Sequence, residues 1–276
     1  MNPLPDPEPV PPIKLDPGAD TLGRELDRLT RRGFAVAGAA GLATLGGWQW
    51  LRTRSAEAGM PWPFRRVIRL DERVARATFS PARLAPTFPD AELTPLRTNG
   101  SIGMDDDAEI DPARWRLSVQ GPGGAARSFT LDEIKALPRH EEVTELKCIE
   151  GWAQKARWAG ARLADLAALT GFSRHSGKPY DAATTPADLL GYVAMATPDR
   201  GYYVGLDMPS ALHPQTLLAY DLDGAPLSNI HGAPLRLAIP LKYGIKNLKR
   251  IGTIRFADER PADYWAEYGY DWYAGH

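Results

Sequence analysis

The chain has 276 residues, 33 of them basic and 34 acidic, and a single cysteine, Cys148. This length suits one large domain or two small ones. The formal net charge of -1 argues against a nucleic-acid partner and against a polybasic membrane-binding face of the whole domain. One cysteine excludes an intramolecular disulfide, and burial as a small apolar side chain is its ordinary role.

Residues 1–29 open with many prolines and are predicted to form a disordered tail. Arg31 and Arg32 then precede 19 uncharged residues rich in Gly and Ala, so residues 30–58 resemble a twin-arginine export signal. Two outcomes stay open for this segment. The small residues of Ala56-Glu57-Ala58 suit cleavage, whereas a helix of about 28 Å would be long enough to remain as a membrane anchor. Either outcome places the body in the periplasm or at the periplasmic face of the inner membrane.

Residues 59–96 show little periodicity and are predicted to be a connector lying on the main domain. Beyond them, short strands alternate with Gly, Pro and Asp turns. Strands are expected at 114–120, 142–149, 191–197, 215–221, 234–239 and 250–257. Thr130 and Glu133 form a capping box before a short helix, and Gly171 ends a helix over 162–169. Without regular strand–helix alternation, the fold class is mixed α+β rather than a doubly wound parallel sheet.

Several common cofactor motifs are absent, namely G-x-G-x-x-G, the P-loop and H-E-x-x-H. Five histidines and one cysteine show no recognisable zinc spacing. Two chemical roles for Cys148 remain open on the residues alone. It pairs with His213 or His231 as a nucleophile, or its soft thiolate binds a transition metal whose other sulfurs come from a cofactor.

Three stretches carry a family resemblance: LKCIEGW around Cys148, RWAGARLADL after it, and HPQTLLAYDLDGAPLSNIHGAPLRLAIPLKYGIKNLKRI at 213–251. They resemble the molybdopterin-binding domain of the sulfite oxidase family. Within it, the chain is most similar to the branch that contains the bacterial periplasmic protein-methionine-sulfoxide reductase catalytic subunit. The resemblance implies a strand-rich molybdopterin-binding fold over 97–258, followed by an aromatic tail over 259–276. It also implies a molybdenum-molybdopterin cofactor with one pterin per metal.

The resemblance gives Cys148 the role of metal ligand and catalytic residue. It further implies cofactor contacts for nine residues: Asn99, Ile102, Gly103, Thr197, His231, Arg236, Asn247, Leu248 and Lys249. Among these, Arg236 is expected at the phosphate end of the cofactor, because a guanidinium matches phosphate with two hydrogen bonds. The neighbouring Lys242, Lys246 and Arg250 are interpreted as a solvated basic face outside the site.

The expected reaction is oxygen-atom transfer, with reduction of an S-oxide on a small molecule or a protein. Ala153 stands where sulfite oxidases carry an arginine for their anionic substrate, which argues against sulfite. Arg157 lies nine residues beyond Cys148 and is interpreted as a surface side chain, although it could reach the pocket. The alternatives are a sulfite-type dehydrogenase of the same family and a non-catalytic exported binding domain.

Electrons must reach such an enzyme from elsewhere, since neither a C-x-x-C-H haem motif nor a flavin fingerprint occurs. The resemblance implies a membrane-embedded, quinol-linked cytochrome as the electron partner. It also implies that the twin-arginine machinery exports the folded, cofactor-loaded chain. The sequence ends soon after the last predicted strand, so the dimerisation domain of sulfite oxidases is not expected and a monomer is predicted.

Overall fold

The protein is described by a computed structural model that covers residues 17–57, 59–100, 102–104 and 110–276. Its chain divides into an N-terminal unit that ends at Ser55 and a main unit, Ala56–His276. The N-terminal unit contains helix α1, Pro17–Arg52. Residues 17–29 are therefore helical, which corrects their assignment to a disordered tail; residues 1–16 lie outside the described part. Within the described residues, no helix is both long enough and apolar enough to cross a membrane.

The main unit begins with a short antiparallel pair, β1 (Ala56–Glu57) and β2 (Met60–Pro61), followed by helix α2 (Trp62–Thr78). The interpretation of residues 59–96 as an irregular connector missed this helix. Five arginines and few helix breakers favour helix in α2, but its apolar residues do not form a buried face, and none of its side chains is fully buried.

Among the residues that the structure describes, the body is formed by two five-stranded sheets and four short α-helices. The first sheet contains β5 (Arg139–Lys147), β6 (Ala153–Arg162), β9 (Leu217–Leu222), β10 (Ala225–Pro226) and β11 (Arg236–Ala238). The second contains β3 (Leu117–Gln120), β4 (Ala126–Phe129), β7 (Tyr192–Ala196), β8 (Tyr203–Asp207) and β12 (Thr253–Ala257). The helices are α3 (Leu131–Lys135), α4 (Leu163–Thr170), α5 (Met208–Ala211) and α6 (Tyr264–Glu267).

The strand order confirms the mixed α+β class. The first sheet runs β10-β9-β6-β5, with β11 also paired to β9, and all its pairs are antiparallel. The second runs β4-β3-β12-β7-β8, and its β3–β12 pair is parallel. The principal core takes Val119, Met195 and Ile254 from the second sheet and Leu218 and Leu237 from the first. Burial of these apolar side chains holds the two sheets together.

Two helix ends were predicted correctly from local signals. Thr130 and Glu133 form the expected capping box, with Glu133 N donating to Thr130 Oγ1 at 3.1 Å and Thr130 N donating to Glu133 Oε2 at 2.8 Å. Gly171 ends α4 in the left-handed conformation, with φ of 70°. In the two sheets of the body, strands β4, β6, β8 and β10 lie outside the predicted ranges.

Candidate active site

Cys148 lies in the tight loop that joins β5 to β6. Cys148 N donates to Trp152 O at 2.8 Å, and Gly151 N donates to Cys148 O at 3.1 Å. Gly151 has φ of 87°, a conformation that glycine adopts without steric cost. The hairpin therefore holds a half-buried thiol at a fixed place beyond the end of β5.

Two polar side chains gather around this thiol. Asn99 Nδ2 lies 3.5 Å from Cys148 Sγ and 3.3 Å from Glu150 Oε2. Trp152 Nε1 donates to the same Glu150 oxygen at 3.0 Å. Glu150 is thus a carboxylate held by two donors close to the sulfur. The sequence interpretation singled out Cys148 and Asn99 but missed Glu150, which follows the cysteine by two residues.

Lys249 connects two of the predicted cofactor-binding segments. Its Nζ donates to Asn99 O and to Gly100 O, both at 2.9 Å. These two bonds hold the loop that carries Asn99 against the stretch that follows Asn247. The ammonium also places a positive charge in the pocket wall, where an anionic group of a ligand would be stabilised.

Arg236 supplies a second, more deeply buried positive charge. It is 2% exposed and begins β11, with Nη1 donating to His231 O at 2.9 Å and Nη2 to Asn247 O at 3.3 Å. Its Nε is buried without a hydrogen-bond partner among the described residues. Burial lowers the pKa of this guanidinium to about 10. A donor left unpaired in a pocket wall is suited to an anionic ligand such as a phosphate.

His231 and Asn247 use their side chains within the protein. The ring of His231 pairs with Leu96 O at 3.1 Å and with Ser228 Oγ at 2.8 Å, and burial lowers its pKa. Asn247 Oδ1 accepts from Ile239 N at 2.9 Å, while its amide nitrogen faces three backbone carbonyls. These side chains shape the loops, and Asn247 also lies in the pocket wall.

Three other predicted residues lie behind the wall or at its edge. Thr197 is fully buried and donates to Asp199 Oδ1 at 2.6 Å, and Leu248 belongs to the core. Gly103 packs so tightly that an added Cβ would lie 2.6 Å from Thr197 Oγ1. Thr197 therefore supports the 102–103 turn, and Ile102 of that turn lines the pocket.

The pocket beside Cys148 has a volume of about 280 Å³. The structure brings six of the predicted residues together in its wall: Asn99, Ile102, Cys148, Arg236, Asn247 and Lys249. Much of the remaining wall is aromatic and comes from Trp152, Tyr202, Trp265 and Tyr270. Trp265 and Tyr270 belong to the C-terminal tail, which sequence reasoning had placed outside the site. Their only signal was the aromatic density of that tail.

The alternative of a cysteine–histidine nucleophile is not supported by the geometry. His213 is buried, with Nε2 3.1 Å from Arg83 O and Nδ1 accepting from Gln215 N at 3.2 Å. His231 is held as described above. Both rings are therefore oriented by groups other than the thiol, and Asn99 is the side chain that contacts Sγ.

The basic residues near the site also differ from expectation. Lys242, Lys246 and Arg250 are buried, which corrects their interpretation as a solvated face. Lys246 donates to Gly205 O at 2.9 Å and pairs with Asp263, so it is structural. Arg157 forms ion pairs with Asp90 and Glu141, and the hydrogen bond that it donates to Asp90 raises its pKa. It does not line the pocket.

The residues present fit a molybdopterin cofactor. In the described part of the chain, no three His, Cys, Asp or Glu side chains cluster as a metal site, so a metal at Cys148 needs further ligands from a cofactor. Cys148 offers one soft thiolate, and Arg236 and Lys249 offer cations for a phosphate. The Arg236 Nε, buried without a hydrogen-bond partner among the described residues, fits an anionic group of such a cofactor.

Comparison with known proteins agrees with this donor set. A family model described as "Oxidoreductase molybdopterin binding domain" matches residues 104–265. A putative protein-methionine-sulfoxide reductase subunit YedZ1 of Azospira oryzae is 33% identical over 92% of this chain and 91% of its own length. The protein-methionine-sulfoxide reductase catalytic subunit MsrP of Xanthomonas campestris is 38% identical over 78% of this chain and 69% of its own length.

Among solved structures, the sulfane dehydrogenase SoxCD of Paracoccus pantotrophus matches 55% of this chain and 40% of its own, with 17% identity and a TM-score of 0.46. The family match covers more than half of the chain. The chain therefore belongs to the oxidoreductase molybdopterin-binding domain family. It is a molybdenum cofactor-dependent oxidoreductase, as the sequence resemblance implied.

Proposed function

We propose that this chain reduces an S-oxide, with a methionine sulfoxide side chain as the preferred class of substrate. One observation carries the proposal: the thiol of Cys148 opens onto a pocket walled by Trp152, Trp265 and Tyr270. Aromatic rings bind the apolar part of a thioether or its oxide through dispersion and sulfur–aromatic contacts. The names of the relatives at 33% and 38% identity support the same substrate class.

The reaction is balanced by an external reductant. Two electrons and two protons enter, the S–O bond breaks, the sulfur becomes a thioether and the oxygen leaves as water. When bound, the molybdenum cofactor would supply the two-electron redox chemistry of oxygen-atom transfer. Cys148 would hold the metal through its thiolate, and Arg236 and Lys249 would bind the phosphate end of the pterin.

Glu150 and Asn99 are the polar groups placed to act beside the reacting atoms. Asn99 Nδ2, 3.5 Å from Sγ, is a donor that can orient a substrate oxygen near the sulfur. Glu150 is held by Asn99 and Trp152, and its carboxylate can accept and return a proton during departure of the oxygen.

An assay with a chemical electron donor tests this function without the natural partner. Purified protein loaded with molybdenum cofactor should oxidise reduced benzyl viologen when methionine sulfoxide, free or in an oxidised protein, is added. Cys148→Ser should abolish turnover while leaving the circular dichroism spectrum unchanged. Wild-type activity in that variant would remove Cys148 from the mechanism.

The sulfite-type alternative is addressed by the same preparation. Ala153 begins β6 where the resemblance places an arginine of sulfite oxidases, and Arg157 is engaged with Asp90 and Glu141. We expect oxidation of sulfite with ferricyanide to be at least about 100-fold slower than sulfoxide reduction. The reason is that moving the sulfite anion from water into a pocket without a partner arginine costs free energy. The opposite ratio would favour the dehydrogenase.

We further propose that the chain is exported by the twin-arginine pathway, works in the periplasm as a monomer, and receives electrons from a membrane-embedded, quinol-linked cytochrome. Support comes from Arg31 and Arg32 before an uncharged Gly/Ala-rich stretch, and from the missing haem and flavin motifs. Replacing Arg31 and Arg32 by lysine should leave the protein in the cytoplasmic fraction. Light scattering of the exported protein should give the mass of one chain.

A further inference from the structure

Helix α2 packs against the rest of the main unit by one side only. Arg65 Nη1 donates to Gly269 O at 2.9 Å, and Glu72 pairs with Arg260 at 3.0 Å. These contacts orient the opposite side of the helix to solvent. The attachment runs to the C-terminal tail, the same segment that contributes Trp265 and Tyr270 to the pocket wall.

The solvent side of α2 carries an unusual row of large apolar side chains. Phe64, Val67, Leu70 and Val74 are 46%, 63%, 58% and 53% exposed. Their spacing of three, three and four residues places them in one stripe along the helix. Single exposed apolar residues are ordinary, whereas four on one face of a helix mark an interaction surface.

The charge beside this stripe indicates what binds there. Arg66, Arg69 and Arg73 are exposed along one edge of the stripe, and the exposed Asp71 lies within the stripe, seven residues after Phe64. Arg69 is paired with Glu57, and Arg66 stacks on the ring of Trp62 at 4.6 Å. An apolar stripe bordered by arginines is the pattern of a helix that lies in a membrane interface.

We propose that α2 docks the enzyme on an anionic lipid surface, with its apolar stripe inserted among the acyl chains and its arginines at the headgroups. A second copy of this chain is a poorer occupant, because antiparallel α2 helices would bring arginine rows against each other. Docking through α2 would hold the pocket close to the membrane, since α2 is bonded to the tail that builds the pocket wall. This surface is independent of the chemistry at Cys148.

Vesicle flotation of the full-length holoenzyme tests the apolar stripe. Wild type should float with vesicles of phosphatidylglycerol and phosphatidylethanolamine and bind pure phosphatidylcholine at least about tenfold less. Leu70→Asp should lower binding to the anionic vesicles at least about tenfold. Leu169→Asp is the matched control, because Leu169 is 46% exposed on α4 and should leave binding unchanged. Equal loss in both variants would contradict the proposal.

The arginines are tested by a charge-matched pair of double variants. Arg66→Gln with Arg73→Gln should weaken binding about tenfold or more, and added salt should reduce the difference from wild type. Arg114→Gln with Arg127→Gln removes the same charge from another surface and should have little effect. If the two double variants bind vesicles equally, binding responds to net charge alone, and docking through the arginines of α2 is contradicted.

A local probe separates α2 from every other part of the chain that binds lipid. Val67→Cys, labelled in the holoenzyme with the environment-sensitive dye NBD, should shift its emission to the blue with anionic vesicles. The same label on Leu169→Cys should not shift, and labelled wild type corrects for any reaction of Cys148. Both variants should keep viologen-linked turnover, which shows that the fold is intact. An unshifted Val67 label, or vesicle-independent dimerisation through α2, overturns the proposal.

Discussion

At the scale of single residues, the sulfur environment depends on a short loop. Gly151, with φ of 87°, reverses the chain so that the indole of Trp152 reaches back to Glu150. A sequence pattern does not show which side chains of a loop converge in space. Glu150 was therefore missed, although it lies in the LKCIEGW motif. Asn99 was found only because its segment resembled a known family.

The carboxylate at this loop leads to the first prediction. Glu150→Gln keeps the size of the side chain but removes its negative charge and its ability to carry a proton. We expect kcat for sulfoxide reduction to fall about 100-fold, with KM changed little, because the loss affects proton transfer and not substrate binding. Steady-state kinetics with reduced viologen measure both constants. Molybdenum content should be unchanged, and Glu145→Gln on the same hairpin should behave as wild type.

A second residue-scale prediction concerns Lys242, whose burial lowers its pKa to about 7, although Asp207 lies 3.7 Å away. Because the folded-state pKa lies below the unfolded one, the unfolded chain binds more protons between the two values. The free energy of unfolding therefore rises with pH across that window, and the contribution is constant below it. Wild-type stability minus that of Lys242→Met should rise by up to about 1.4 kcal/mol per pH unit from about pH 7 to pH 10.

Urea unfolding of both proteins at several pH values gives this difference directly. A constant offset between them is expected from packing and from Asp207 losing its partner, and it carries no information about titration. Only the slope tests the pKa. A difference that stayed flat from about pH 7 to pH 10 would mean that Lys242 remains charged in the folded protein.

At the scale of elements, strand β6 contains a glycine that close packing against β9 requires. It lies between β5 and β9 and positions the loop of Cys148, yet it reads AQKARWAGAR, with few of the residues typical of strands. An added Cβ at Gly160 would lie 2.1 Å from Leu218 O, so backbone proximity selects glycine there. The pairing register shifts between Ala159 and Gly160 at the same point.

Gly160→Ala should therefore destabilise the main unit by about 3 kcal/mol, because a backbone atom of β9 must move to admit the methyl group. Thermal unfolding followed by circular dichroism measures the loss. Gly38→Ala is the control: Gly38 lies in α1 and has nothing within 4 Å of an added Cβ. We expect no loss of stability there, since alanine favours helix over glycine. Equal effects would show that the close approach to β9 is not limiting.

The elements that could be predicted are those whose signals are local in the sequence. Strands β7 and β12 alternate buried and less buried residues, and the expected ranges 191–197 and 250–257 contain them. The capping box and Gly171 are local signals that act without the rest of the fold. Strand β6 owes its place to tertiary contacts and lacks the regular alternation of buried and exposed residues that predicts a strand. Helix α2 does carry apolar residues at helical spacing, and the prediction of a connector overlooked them.

At the scale of the whole molecule, the C-terminal tail joins the pocket to the core. Asp263 Oδ2 accepts from Gly205 N at 3.1 Å and pairs with the buried Lys246, while Asp263 Oδ1 accepts from Ala266 N at 3.2 Å. Lys246 donates in turn to Gly205 O. The tail is thereby fixed to β8, and Trp265 is held where it lines the pocket. These contacts join residues that lie far apart in the sequence, so no local motif reveals them.

This arrangement yields the last prediction. Asp263→Ala leaves the Lys246 ammonium buried without its counter-ion, so we expect the free energy of unfolding to fall by about 3 to 5 kcal/mol. Asp258→Ala removes an exposed acid that pairs with His175 at 3.4 Å and should cost less than about 1 kcal/mol. The double change Asp263→Leu with Lys246→Met removes both charges and should recover much of the loss. If the tail positions the aromatic wall, Asp263→Ala should also raise KM for sulfoxide under conditions where the variant is still folded. Urea titration and viologen-linked kinetics on the same samples separate the loss of stability from the loss of substrate binding.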